Sequence, residues 1–210
     1  MPPARASGEP QHSTAAAPFV GLTGGIGAGK SAALAALERC GAAVLSTDAV
    51  VHELYRDEVL VRTVRARFGE AVAPGGVVDR AALAELVFGT DADRAWLEGL
   101  LWPLVAGRIA VWREQQRDCD PPPRAIVVEV PLLFEAGMEG GFDATIAVVA
   151  PEHLRRERAA ARGHRALQER GARQLSQEEK AARATYVVVN DGDPDALADK
   201  LSCVLDMLGR

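Results

Sequence analysis

The stretch Gly24-Gly-Ile-Gly-Ala-Gly-Lys-Ser31 constrains this chain more than any other. It fits G-x-x-x-x-G-K-[ST] and stands between an apolar run, Phe19-Val-Gly-Leu-Thr23, and the segment Ser31–Arg39, where Leu34, Leu37 and alanines recur at helical spacing. A buried strand, a glycine turn and a helix in that order make a phosphate cradle. Glycines let the backbone curl so that its N–H groups face one anion. Lys30 brings a mobile cation to the terminal phosphates, and the Ser31 hydroxyl can ligate Mg²⁺. At ordinary glycine usage chance gives such a match in roughly one chain of this size per hundred. Lysine is scarce here (Lys30, Lys180 and Lys200 only), so its presence in the slot is informative.

The rest of the chain alternates short apolar runs with helical stretches. Ala43–Leu45, Ala125–Val130, Thr145–Val149 and Tyr186–Val189 read as further strands, the second unalternating and rich in Val and Ile, as a strand covered on both faces should be. Helical patterns follow at Pro131–Ala136, Pro151–Arg162 and Asp193–Leu208. The expected architecture is an α/β fold with a parallel five-stranded sheet covered on both faces. Two appendages interrupt it: a mostly helical block at about 52–116, turning at Pro74-Gly-Gly76, and an arginine-rich segment at about 151–183.

A net charge of −5 argues against a general nucleic-acid binder. Neither long apolar stretch, Gly99–Trp112 or Ala125–Phe134, reaches the ~18 uninterrupted apolar residues of a membrane span. Cys40, Cys119 and Cys203 lie far apart without metal-site spacing, so reduced thiols in a cytoplasmic protein are expected. Residues 1–17 lack the apolar core of a secretory signal and read as a flexible tail.

Three further features carry chemistry. Asp48 follows the second strand and should lie at the sheet's carboxyl edge, where it could orient Mg²⁺ through water or accept a hydroxyl proton; capping a helix by Thr47 or Asp48 is the bland alternative. Arg155, Arg156, Arg158, Arg162, Arg165, Arg170 and Arg173 gather in one short stretch, a field suited to phosphate oxygens unless it is merely a solvated face paired with Glu152, Glu157 and Glu169. Glu129 ends an otherwise apolar strand, so it needs a partner such as metal-bound water or an arginine. The N-K-x-D guanine reader of a switch GTPase is absent, since Asn190 is followed by Asp-Gly-Asp.

In order, Gly21-Leu-Thr-Gly-Gly-Ile-Gly-Ala-Gly-Lys-Ser31, Asp48, Val78-Asp-Arg80 with Leu83 and Phe88, Glu129-Val-Pro-Leu-Leu-Phe-Glu135, Arg158 and Arg162, Gln174 with Glu179-Lys180, and Tyr186-Val-Val-Val-Asn190 resemble the dephospho-coenzyme A kinase family. The likeness runs from Gly21 to about Leu205. It implies a P-loop three-layer sandwich that transfers the γ-phosphate of ATP to the ribose 3′-hydroxyl of dephospho-CoA, the last step of coenzyme A synthesis. By position Asp48 takes the base role, Lys30 steadies the transferring phosphoryl group, and Arg158 is a lid arginine near it.

ATP is then expected at Gly25, Gly27, Ala28, Gly29, Lys30, Ser31, Ala32, Arg162 and Asn190, the last on the adenine side. The acceptor is expected at Asp48, His52, Arg80, Glu129 and Leu132, and Mg²⁺ at Ser31 with Asp48 through water. The chain divides into a tail, 1–17, and a kinase domain, 18–210. Its core is 18–51, 117–150 and 184–210, its acceptor-binding helical region 52–116, and its lid 151–183. A cytoplasmic monomer is expected, with ATP and dephospho-CoA as partners and neither nucleic acid nor membrane. Ser46, Trp102 and Ala32 depart from the family pattern, and the lid is about three residues short. A kinase for another small acceptor, such as a nucleoside monophosphate, and a nucleotide-binding module without turnover remain the alternatives.

Overall fold

The structure, a computed structural model, describes residues 16–87, 89–161 and 174–209. Strands β1 (Phe19–Gly24), β2 (Ala43–Ser46), β3 (Ile126–Glu129), β4 (Ala144–Val149) and β5 (Tyr186–Val189) form one parallel sheet in the order β2-β3-β1-β4-β5. The described helices are α1 (Lys30–Arg39), α2 (Thr47–Leu54), α3 (Glu58–Phe68), α4 (Arg80–Val87), α5 (Asp91–Arg117), α6 (Glu152–Ala160), α7 (Gln177–Arg183) and α8 (Pro194–Leu208). The strands are mostly apolar, and successive side chains of β1 and β3 feed two cores. Phe19, Ile126 and Val128 enter one core with Val50, Leu60, Val64, Leu83 and Ile109 of the helical block. Val20, Leu22, Val127, Ile146 and Val148 enter the other with Ala33 and Leu37 of α1 and Leu197, Leu201 and Leu205 of α8.

Local chemistry sets the helix starts. The side chains of Asp57, Thr90, Ser176 and Asp193 accept backbone N–H groups at the starts of α3, α5, α7 and α8, and Ser176 with Glu179 completes a reciprocal capping box. At the start of α5 the Thr90 hydroxyl and the Arg67 guanidinium hold the Asp93 carboxyl below the usual aspartate range. Pro131–Ala136, expected as a short helix, is a run of turns instead. Ala136 N donates to Leu132 O, Gly137 N to Phe134 O and Met138 N to Leu133 O, while Leu133 and Phe134 are drawn into the core.

The central strand β1 has β3 on one side and β4 on the other. After β1 the chain passes to the face covered by α1; after β3 it passes to the opposite face, where Leu133 and Phe134 are buried. Neighbouring strands that send their connections to opposite faces open a crevice at their carboxyl ends, where α/β proteins bind ligands. The glycine loop after β1, Asp48 after β2, Glu129 at the end of β3 and Asn190 after β5 all lie at the carboxyl ends of their strands.

A fully buried lysine fastens its floor. Lys180 Nζ on α7 donates to Pro131 O (2.7 Å) and Thr23 Oγ1 (3.3 Å) and pairs with Glu135 (2.8 Å), which also accepts the Leu175 N–H. Removing one partner of such a pair strands the other charge, whereas removing both does not. Lys180→Met is therefore expected to cost about 3–5 kcal/mol in urea unfolding, and Lys180→Met with Glu135→Leu to recover much of it. Equal losses in both variants would show that the ion pair is not the source.

Candidate active site

Between β1 and α1 the chain turns through Gly25–Gly29, and the carbonyls there are held one after another from outside the turn. Lys30 Nζ donates to Gly24 O (3.0 Å) and Gly25 O (3.3 Å). Arg155 Nε donates to Ile26 O (3.1 Å), an Arg158 terminal nitrogen to Gly27 O (3.3 Å), and Asn190 Nδ2 to Ala28 O (3.0 Å). A second Arg158 nitrogen donates to Asn190 Oδ1 (3.3 Å), which ties α6 to the end of β5.

The loop lies flat against these supports, and only glycine permits the approach. At Gly27 (φ 75°) a Cβ would come within 2.4 Å of Arg155 O; at Gly29 (φ 93°) one would come within 2.0 Å of Asn190 Nδ2. Gly29 is also the N-cap of α1 and brings no side chain to cap it, so the first-turn amides and the positive end of the helix dipole are left for an anion. Beside Asn190, a hydrogen bond from Lys200 holds the Asp191 carboxyl below its usual range.

The acids come from the other side of the crevice. Glu129 pairs in register with Leu22 on β1 and Ser46 on β2. It is buried (7% exposed) at the carboxyl end of β3. Asp48 stands exposed in the first turn of α2. It does not cap that helix: the N-cap is Ser46, whose side chain makes no capping bond, and Thr47 Oγ1 donates instead to Glu129 O (2.9 Å). With its bland role gone, Asp48 keeps a solvent-facing carboxylate beside the crevice.

Of the other residues picked from the sequence, His52 lies exposed one helical turn beyond Asp48, and Leu132 is half-buried in the turns after β3. Arg80 opens α4, which is brought near the end of α2 by Val78 N donating to Tyr55 O; among the described residues no hydrogen bond or ion pair draws its side chain to Asp48 or Glu129. Ser31 and Ala32 are exposed in the first turn of α1. Arg162 falls outside the described residues, as do Arg165, Arg170, Arg173, Phe88 and residues 1–15 of the tail. Ser31 and Asp48 offer hard oxygen donors, and no group of three His, Cys, Asp or Glu among the described residues forms a protein-only cage. Such a donor set fits Mg²⁺, which keeps water and substrate phosphates among its ligands.

Sequence reasoning did not assign Arg155 or the Lys180–Glu135 pair to the site. Arg155 lay within the arginine cluster three residues before Arg158, the spacing that puts both on one helix face. Lys180 was visible as one of three lysines, but nothing local announces its burial.

A parallel 2-3-1-4-5 sheet with a glycine loop wrapped onto the first turn of α1, and acids at the ends of its neighbours, defines a P-loop kinase. The family model for dephospho-CoA kinase matches residues 18–195, and the chain belongs to that family. A dephospho-CoA kinase of Deinococcus radiodurans is 39% identical over 195 residues, covering 90% of this chain and 91% of the relative. One from Moorella thermoacetica is 38% identical, covering 85% and 86%. A solved protein of Thermus thermophilus superposes with a TM-score of 0.73 at 34% identity, over 92% of this chain and 98% of that one.

Gly27→Ala is expected to lower nucleotide affinity at least ~10-fold, because strain at positive φ is joined by a collision with the α6 backbone. Gly75→Ala, also at positive φ but with open space around it, should cost only the strain. Thermal shifts with and without ADP separate the two: only the Gly27 variant should lose the ligand-induced rise.

Proposed function

We propose that the chain transfers the γ-phosphate of ATP to the ribose 3′-hydroxyl of dephospho-CoA, giving coenzyme A, and that Asp48 is the base. The observation that carries this reading is the juxtaposition at one sheet edge of a loop with its carbonyls tied back and a solvent-facing Asp48 that caps nothing. Phosphoryl transfer leaves the protein mainly positioning and charge neutralisation to perform.

ATP lies on the amides of Gly25, Gly27, Ala28, Gly29, Lys30, Ser31 and Ala32, with Asn190 supporting the cradle on the adenine side; the family resemblance assigns Arg162 to the nucleotide as well. Lys30 and Arg158, both already against the loop, follow charge onto the transferring group. Asp48 accepts the proton of the 3′-hydroxyl as its oxygen forms the new bond to phosphorus and the bond to ADP breaks. His52, Arg80, Glu129 and Leu132 line the acceptor side, with residues 52–116 as its helical wall. Ser31, and Asp48 through water, would hold Mg²⁺, which when bound neutralises phosphate charge.

ADP release with dephospho-CoA, measured beside adenosine, AMP and no acceptor with the product mass recorded, tests the assignment. One phosphate added to dephospho-CoA alone is expected. ATP binding without acceptor-dependent ADP would mean a nucleotide-binding module, and a different phosphorylated product another kinase. Asp48→Asn should lower kcat ~10²–10⁴-fold while ATP affinity stays within ~3-fold; turnover close to the unmutated protein would remove Asp48 from the base role.

A further inference from the structure

We propose that Arg155 is a positioning residue for the phosphoryl transfer: from α6 it fixes the peptide between Ile26 and Gly27, and thereby aims the Gly27 N–H at the nucleotide's phosphates. The proposal rests on the kinase reading above. In a trans peptide the C=O and the following N–H point in opposite directions. Holding Ile26 O outward with Arg155 Nε (3.1 Å) therefore turns the Gly27 N–H inward. Glycine at 27 puts little steric barrier in the way of a flip of this peptide, so a donor on Ile26 O is needed to hold it.

The side chain is built for that task. It is three-quarters buried, and Glu152 Oε2 takes one terminal nitrogen (2.9 Å), which sets the direction of Nε. The other terminal nitrogen lies over Gly25, 3.3 Å from where a Cβ would stand, and the residue's own carbonyl abuts Gly27. One arginine thus touches three successive loop residues. Arg156, the next residue, shares Glu152 but is 79% exposed and makes no hydrogen bond to the loop. The acceptor at Ile26 is a neutral carbonyl, so a donor is what the position requires. At Ala28 an amide, Asn190 Nδ2, does the same work.

Titration calorimetry of ATP and of ADP on the full chain tests this, with steady-state kinetics and melting curves on the same preparations. Arg155→Ala is expected to weaken ATP and ADP by the same factor, ~10-fold, as for loss of one charge-assisted hydrogen bond, with KM for dephospho-CoA within ~2-fold. Arg155→Gln, which keeps a donor without the charge, should restore affinity to within ~3-fold, and Arg156→Ala should leave every value unchanged. A loss confined to ATP would mean that the guanidinium meets the terminal phosphate itself, and would overturn the proposal. So would unchanged affinity in Arg155→Ala, which would leave only a helix-face ion pair, or an Arg155→Gln variant as weak as Arg155→Ala. ADP binding needs no acceptor and no turnover. Absence of dephospho-CoA phosphorylation by the unmutated protein would count against the kinase reading, while these affinities would still decide the role of Arg155.

Discussion

A peptide unit cannot offer its N–H to a ligand without turning its C=O the other way, and a carbonyl turned into protein needs a donor. The crevice of this molecule is organised around that requirement. Five successive carbonyls, from Gly24 to Ala28, are met by donors from α1, α6 and the end of β5. The parallel sheet makes this possible by delivering three separate stretches of chain to one edge. The phosphate-binding surface is thus a property of the whole edge, although a single eight-residue motif carries its signature.

Charge is divided across the crevice with similar economy. Cations stand behind the loop, and acids stand at the ends of β2 and β3. Two ionisable side chains, Lys180 and Glu129, are buried nearby. Lys180 has its donors satisfied by Pro131 O, Thr23 Oγ1 and Glu135, as a structural charge must. Lys180 thus holds the fold together. Glu129 is buried at the end of β3, on the acid side of the crevice.

Much of this was legible in the sequence. Strand β3 announced itself as an unalternating apolar run because two cores draw on its alternate residues. Lys30, Ser31 and Asp48 could be placed because each belongs to a local pattern: a strand, a glycine turn and a helix for the first two, a strand end for the third. Pro131–Ala136 was misread for a physical reason. Its apolar spacing suits a helix, but the burial of Leu133 and Phe134 and the claims of Lys180 and Thr23 on Pro131 O decide its path. Arg155 and Lys180 were missed because the groups they meet are distant in sequence: Ile26 lies 129 residues before Arg155, and Glu135, Pro131 and Thr23 lie 45, 49 and 157 residues before Lys180. A sequence shows that a cation is present, but the carbonyl it will meet is chosen by the fold.

The three lysines have an unplanned use. Lys200 keeps part of its side chain in water on α8, Lys30 is half-buried against the loop, and Lys180 is wholly enclosed. An amine-directed label read by peptide mass would therefore sample three different events in one experiment. Modification at Lys200 sets the reagent's baseline, Lys30 reports whether the cradle is occupied, and Lys180 reacts only in molecules that have opened their core. A chain so poor in lysine carries its own graded set of solvent-access reporters.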